Sequence, residues 1–216
     1  IIGNPMLIDI SQLSNISVAL FDVLQVQNNP SLENLEGLNN IQGVNIVWGG
    51  GIYIENNDRL KNLNGLEGIV FQTGEPLSYD LINITIKGND GLLSLEGLGK
   101  LNHPFTLLIE NNSALTNLDG LENQDSIYYL FVENNDALTS VEGLKEHSNI
   151  YWMEIIKNDS LEYLSGLNNL DSLQYLEIRE NTRLKDINSL PPFTFSINIQ
   201  DNKNLTGLSA FEGITE

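Results

Sequence analysis

The chain has no cysteine among its 216 residues. That removes disulfides, thiolate nucleophiles and zinc–thiolate sites. Export stays open, because a repeat core of this size needs no covalent staple. Histidine is nearly as scarce, with only His103 and His147. Neither lies in a metal-ligand spacing or shares a pattern with a Ser or acid partner, so both read as loop residues. Basic residues are few: ten Lys and Arg stand against 29 Asp and Glu, a formal net charge of −19. That balance argues against nucleic acid and against anionic membrane surfaces as partners. No apolar run reaches the ~18 residues of a membrane-spanning helix. No nucleophile elbow or phosphate loop is present, and no cofactor is expected. The chain opens Ile1-Ile2-Gly3 without Met, which suggests a mature chain whose targeting segment lies outside the sequence.

What is present is a repeat. Leucines at 32, 60, 92, 115, 138, 161, 184 and 205 act as anchors, and from Leu92 to Leu184 they recur every 23 residues. A fixed period in the twenties marks a solenoid with one short strand per coil. Three residues before each anchor stands an asparagine: Asn29, Asn57, Asn89, Asn112, Asn135, Asn158, Asn181 and Asn202. A solenoid turn leaves backbone N–H and C=O groups pointing inward, and a buried Asn can bond both kinds. These eight are expected to form a stacked structural ladder. Ahead of each lies an apolar-x-apolar pair, from Leu24/Val26 to Ile197/Ile199. Period two with β-branched residues predicts a strand with that pair on the buried face. After the anchor come further leucines and a glycine (Gly37, Gly65, Gly97, Gly120, Gly143, Gly166), read as a corner needing positive φ or close approach.

The fold expected from the period is mainly β, a solenoid of about eight coils of ~23 residues in a single repeat domain over residues 1–216. Eight coils at about 4.8 Å give a rod roughly 40 Å long. Residues 1–23 fit the repeat poorly and read as an N-terminal cap, with repeats over 24–212. Insertions near 41–51 and 68–81 lengthen the first two coils and carry Trp48, Phe71 and Tyr79; such loops often hold binding residues.

The unit Ile52-Tyr-Ile-Glu-Asn-Asn-Asp-Arg-Leu-Lys-Asn-Leu-Asn-Gly-Leu66 resembles the receptor L-domain, a relative of the leucine-rich repeats. The Gly49-to-Asn57 pattern is most similar to bacterial and fungal cell-surface members. The resemblance covers about residues 20–212. It implies a right-handed parallel β-solenoid, extracellular or cell-surface placement, and a non-catalytic binding or adhesion role toward a protein or carbohydrate. It carries over no ligand-binding residue, since such a family shares a scaffold and not a site.

Candidate site residues follow from parity. If the apolar pair faces inward, the column nine before the anchor faces outward, and in three consecutive coils it reads Tyr129, Trp152 and Tyr175. Phe131 extends the patch two residues on. The flanking column Glu110, Glu133, Ile156, Arg179 and Gln200 would supply a polar rim, with Arg179 among the ligand-binding candidates. Such a patch suits a sugar or a protein hot spot; the alternative is cross-strand packing that stiffens the sheet. Phe105, Tyr128, Tyr151 and Phe195, one residue earlier, are predicted to point inward. A second column, Glu96, Asp119 and Glu142, stacks like charges that Ca²⁺ would relieve, although solvated surface acids explain it as well. Sequons occur at Asn15, Asn83, Asn111, Asn158 and Asn204. The alternative functions are a spacer repeat in a larger surface protein, or a carbohydrate-active enzyme using paired acids.

Overall fold

The computed structural model describes residues 1–16, 20–41, 43–45, 50–69, 71–72, 82–98, 105–122, 124, 127–190 and 196–208. Among these residues eleven strands run in chain order: β1 (Leu20–Phe21), β2 (Val23–Gln27), β3 (Gly43–Asn45), β4 (Gly51–Glu55), β5 (Phe71–Gln72), β6 (Ile82–Lys87), β7 (Phe105–Glu110), β8 (Ile127–Glu133), β9 (Asn149–Ile156), β10 (Ser172–Arg179) and β11 (Ser196–Gln200). Eight of them form one sheet in the order β11-β10-β9-β8-β7-β6-β4-β2. Every pairing in it is parallel. The chain is a β-solenoid that adds one strand per repeat. A smaller parallel sheet, β1-β3-β5, runs along the first three coils. The insertions near 41–51 and 68–81 supply its β3 and β5. Trp48, Tyr79 and the other residues at 42, 46–49, 70 and 73–81 lie outside the described residues.

The apolar pairs behave as period two requires. Leu24 and Val26, Ile52 and Ile54, and their equivalents through Leu176 and Ile178 are buried, as are the anchors Leu32 to Leu184. Only Ile197, Ile199 and Leu205, in the last coil, are half-buried. The core is one continuous stack of leucine and isoleucine columns. Burial of one such side chain is worth about 1.5–3 kcal/mol, and each contributes to the coils on both sides.

The ladder threads that core. From Asn29 to Asn181, each Asn backbone N–H and side-chain Nδ2 donate to Oδ1 of the Asn in the next coil. The second Nδ2 hydrogen reaches back to a carbonyl of the coil before. Asn112 shows the full set: N to Asn135 Oδ1 at 3.0 Å, Nδ2 to the same atom at 3.2 Å, and Nδ2 to Ile86 O at 3.0 Å. One side chain thereby ties three coils. Seven of the eight are fully buried, Asn158 among them, which leaves its sequon inaccessible to a glycan; Asn202, in the last coil, is half-buried.

Two columns beside the ladder complete the corner. The residue before each ladder Asn takes the left-handed region: Asn28, Asn56, Gly88, Asn111, Asn134, Lys157, Glu180 and Asp201 all have φ between 53° and 63°. Gly and Asn carry that conformation at little cost, whereas Lys157 and Glu180 carry strain of about 1–2 kcal/mol each. The glycine column has a different reason. An added Cβ at any of its six members would overlap backbone of the preceding coil, such as the Leu118 carbonyl beside Gly143. Gly37 and Gly143 lie in short 3-10 turns without positive φ, so close approach is the shared requirement.

Residues 1–16 follow the same frame. Gly3 has φ 73°. Asn4 N and Nδ2 both donate to Asn29 Oδ1 at 3.1 Å, and Leu7 N bonds Asn4 O at 3.0 Å as each anchor does. Ile2 bridges Gln27 in parallel, and Ile10 is buried where Gly37 packs on it. The segment read as a cap thus carries the ladder one rung further.

Candidate functional site

The outward face of the main sheet has three columns, fixed by the strand register. Tyr129, Trp152 and Tyr175 pair directly across β8, β9 and β10, as the spacing predicts. The next column holds Leu108, Phe131, Glu154 and Glu177, and the third holds Lys87, Glu110, Glu133, Ile156 and Arg179.

The inward reading of Tyr128 and Tyr151 is overturned. Phe105 pairs with Ile127, but Thr106 pairs with Tyr129, and the register shifts there. Tyr128 is an extra residue that the shift pushes outward, where it is exposed. Ile127, Ile150 and Leu173 take the buried place that Ile82 and Phe105 hold in the earlier coils. Tyr151 is half-buried beside Tyr128. Phe105 is fully buried as predicted, and Phe195 lies outside the described residues. A bulge of this kind re-aims side chains on the strand that carries it.

The consequence is a cluster of six rings on three strands. Tyr128 stacks on Tyr151 with centroids 4.7 Å apart and planes at 7°. Trp152 stacks on Tyr175 at 4.8 Å and 27°. Tyr129 is the hub: Tyr128 meets it edge-on at 5.0 Å, Phe131 lies 6.4 Å away, Tyr151 6.0 Å and Trp152 6.5 Å. Tyr151 also contacts Tyr175 at 5.6 Å. The cluster stops abruptly, because Tyr129 pairs with Thr106 on one side and Tyr175 with Ser196 on the other. Desolvation among these rings, with Tyr175 and Tyr128 close by, pushes the Tyr151 hydroxyl above its ordinary value.

Carboxylates border the rings. Trp152 Nε1 donates to Glu154 Oε1 at 2.8 Å. Arg179 Nη1 lies 3.3 Å from Glu177 and its Nε 3.6 Å from Glu180. Lys87 pairs with Glu110 at 2.7 Å. Glu133 is held above the ordinary carboxylate range, first by desolvation and then by Glu154 and Glu110. The rim is less polar than its sequence position suggested: Ile156 is 5% exposed between Glu133 and Arg179.

The remaining candidates separate from this face. Among the described residues no three acidic or histidine side chains converge where they could hold a metal ion, and the Glu96, Asp119 and Glu142 column forms no such group. His103 lies outside the described residues. His147 does lie in a connection, between the Glu142–Leu144 turn and β9, but it is buried there, with Nε2 2.8 Å from Leu121 O. It occupies the place that Ile41, Ile69 and Leu170 fill in other coils, and Gln124 stands at the same place with Nε2 donating to Leu98 O at 3.3 Å.

One feature the sequence did not indicate is an open polar groove of about 440 Å³ along the left-handed corner, lined among others by Asn134, Asp136, Lys157, Asp159, Glu180 and Asp201. Its side chains largely satisfy one another, as in the Lys157–Glu180 pair and the Thr182 hydroxyl on Asp159. Among family models, curated proteins and solved structures, none matches the chain.

Proposed function

We propose that this chain is a non-catalytic binding module, of the receptor L-domain kind, which recognises a protein or carbohydrate through the outward face of its main sheet. The single observation that carries this reading is the six-ring cluster on β8, β9 and β10. Interior positions repeat in every coil because the core demands it. These rings are confined to three coils, between Thr106 and Ser196, where no core requirement asks for them. Aromatic groups gathered on an open sheet face mark interfaces more often than accidents. Arg179, Glu154 and Glu133 would form the polar rim. The cell-surface placement rests on the resemblance of the Ile52–Leu66 unit. No helix among the described residues is long and apolar enough to cross a membrane.

The test is a combined glycan and protein array probed with the wild type and with a Tyr129/Trp152/Tyr175 triple-alanine variant, both checked for folding by circular dichroism. Signal from the wild type alone places binding on this face. Silence from both folded proteins favours a spacer repeat instead.

A further inference from the structure

Given the reading just stated, that the aromatic face binds, we infer that its partner is a polypeptide surface carrying Lys or Arg beside apolar side chains. Two independent features of the face point there, one from shape and one from charge.

The first is how the rings are arranged. A sugar wants a free, flat ring face to lie on. Here much of the ring area is turned on neighbouring rings: Tyr128 covers Tyr151, and Trp152 covers Tyr175. What they present together is an uneven apolar ridge with hydroxyl tips. That is the surface on which interdigitating protein side chains find hot-spot contacts.

The second is uncompensated charge. The two cations on this part of the sheet are already engaged, Lys87 by Glu110 and Arg179 by Glu177 and Glu180. Among the described residues the Glu133 carboxylate makes no hydrogen bond or salt bridge and feels Arg179 and Lys87 only at longer range, and the Glu154 carboxylate has only the Trp152 indole. These two carboxylates sit on neighbouring strands beside Phe131; desolvation, and then Glu154 and Glu110, disfavour the charge on Glu133 against a smaller pull from Arg179 and Lys87. A cation from outside would relieve both at once, and beside the rings it would meet their negative faces too. The −19 formal charge of the chain steers a basic partner inward at long range.

The experiment is selection from a random dodecapeptide library on the wild-type chain, with counter-selection on the triple-alanine variant. Selected peptides are then measured by fluorescence anisotropy, with an oligosaccharide array run in parallel. The expected result is enrichment of peptides that combine basic and aromatic or aliphatic residues. Their affinity falls about tenfold or more in the triple variant and roughly three- to tenfold in Glu133→Gln/Glu154→Gln. It holds within about twofold in Glu142→Gln/Glu146→Gln, whose acids are exposed away from the sheet face.

Equal loss in both glutamine variants would mean diffuse attraction to an acidic chain and would overturn the inference. Neutral or acidic peptides that still need the rings, or oligosaccharide binding without peptide enrichment, would overturn the partner class and leave the binding face standing. A folded wild type that takes neither peptide nor sugar would bring down both.

Discussion

The two faces of the main sheet obey different rules. Inward, every coil repeats the last: an apolar pair, a ladder Asn, an anchor Leu, a glycine or its substitute. Outward, no column repeats, and one column passes from Asn83 and Thr106 to Tyr129, Trp152 and Tyr175, then back to Ser196. The difference teaches where the chain is constrained by its own folding. A buried position answers to two neighbouring coils at once, so its chemistry is dictated. An outward position answers only to water or to a partner, so a departure toward aromatic residues there needs a reason outside the core.

Breaking the inward rule should have the largest effects. Asn112→Ala removes the Nδ2 bonds to Asn135 Oδ1 and Ile86 O and strands the Asn89 backbone and side-chain donors that Asn112 Oδ1 accepts. The expected loss is about 3–5 kcal/mol of unfolding free energy, from several buried groups left unpaired. Urea denaturation followed by circular dichroism measures it. Gly143→Ala comes next, at about 2–3 kcal/mol, because its Cβ has to push the Leu118 carbonyl away; the same titration checks it.

Much of this was legible before any coordinates. Asn29 to Asn202 at fixed offset from a Leu predicted a ladder because only a buried amide serves inward donors and acceptors alike. What failed did so for local reasons. Parity counted back from Leu130 puts Tyr128 inside, and it fails because one extra residue in β8 changes the count. The signal was the apolar Ile127, Ile150 and Leu173 one position further back. His147 was hidden by its polar setting, Glu-His-Ser-Asn, although its offset from Asn135 equals that of Ile41 from Asn29. Asn4, Leu7, Ile10 and Leu13 keep the repeat frame too, but no Gly follows Leu7 at the corner offset that Gly37 keeps from Leu32, so the unit does not announce itself. The groove along the left-handed corner arises from pairs of side chains two residues apart, stacked on successive coils, which no linear motif displays.

Smaller changes sharpen the contrast. Lys157 holds φ 54° where five other coils place Asn or Gly, so Lys157→Gly should stabilise by about 1 kcal/mol, less the weak exposed pair with Glu180. A shift of the urea midpoint upward with unchanged slope is the readout. The least change is expected from Glu133→Gln. Its carboxyl is raised in the folded state, so the fold binds more protons than the unfolded chain across the carboxylate range. Stability from this group is fully present at low pH and is lost as pH rises through that range. The glutamine variant should therefore be slightly more stable than wild type at neutral pH, by under about 1 kcal/mol after solvent screening. That advantage should vanish on acidification, as thermal melts at a series of pH values would show.

The most direct measurement pairs two readouts on one variant, Trp152→Ala: affinity for a ligand found by selection or array, and unfolding free energy in urea. The predicted result is an affinity loss of about tenfold or more with a stability loss of no more than about 2 kcal/mol, well short of Asn112→Ala. A Trp152→Ala chain that binds as the wild type does, yet loses as much stability as the ladder variant, would make the aromatic cluster part of the scaffold and contradict its role as a binding face.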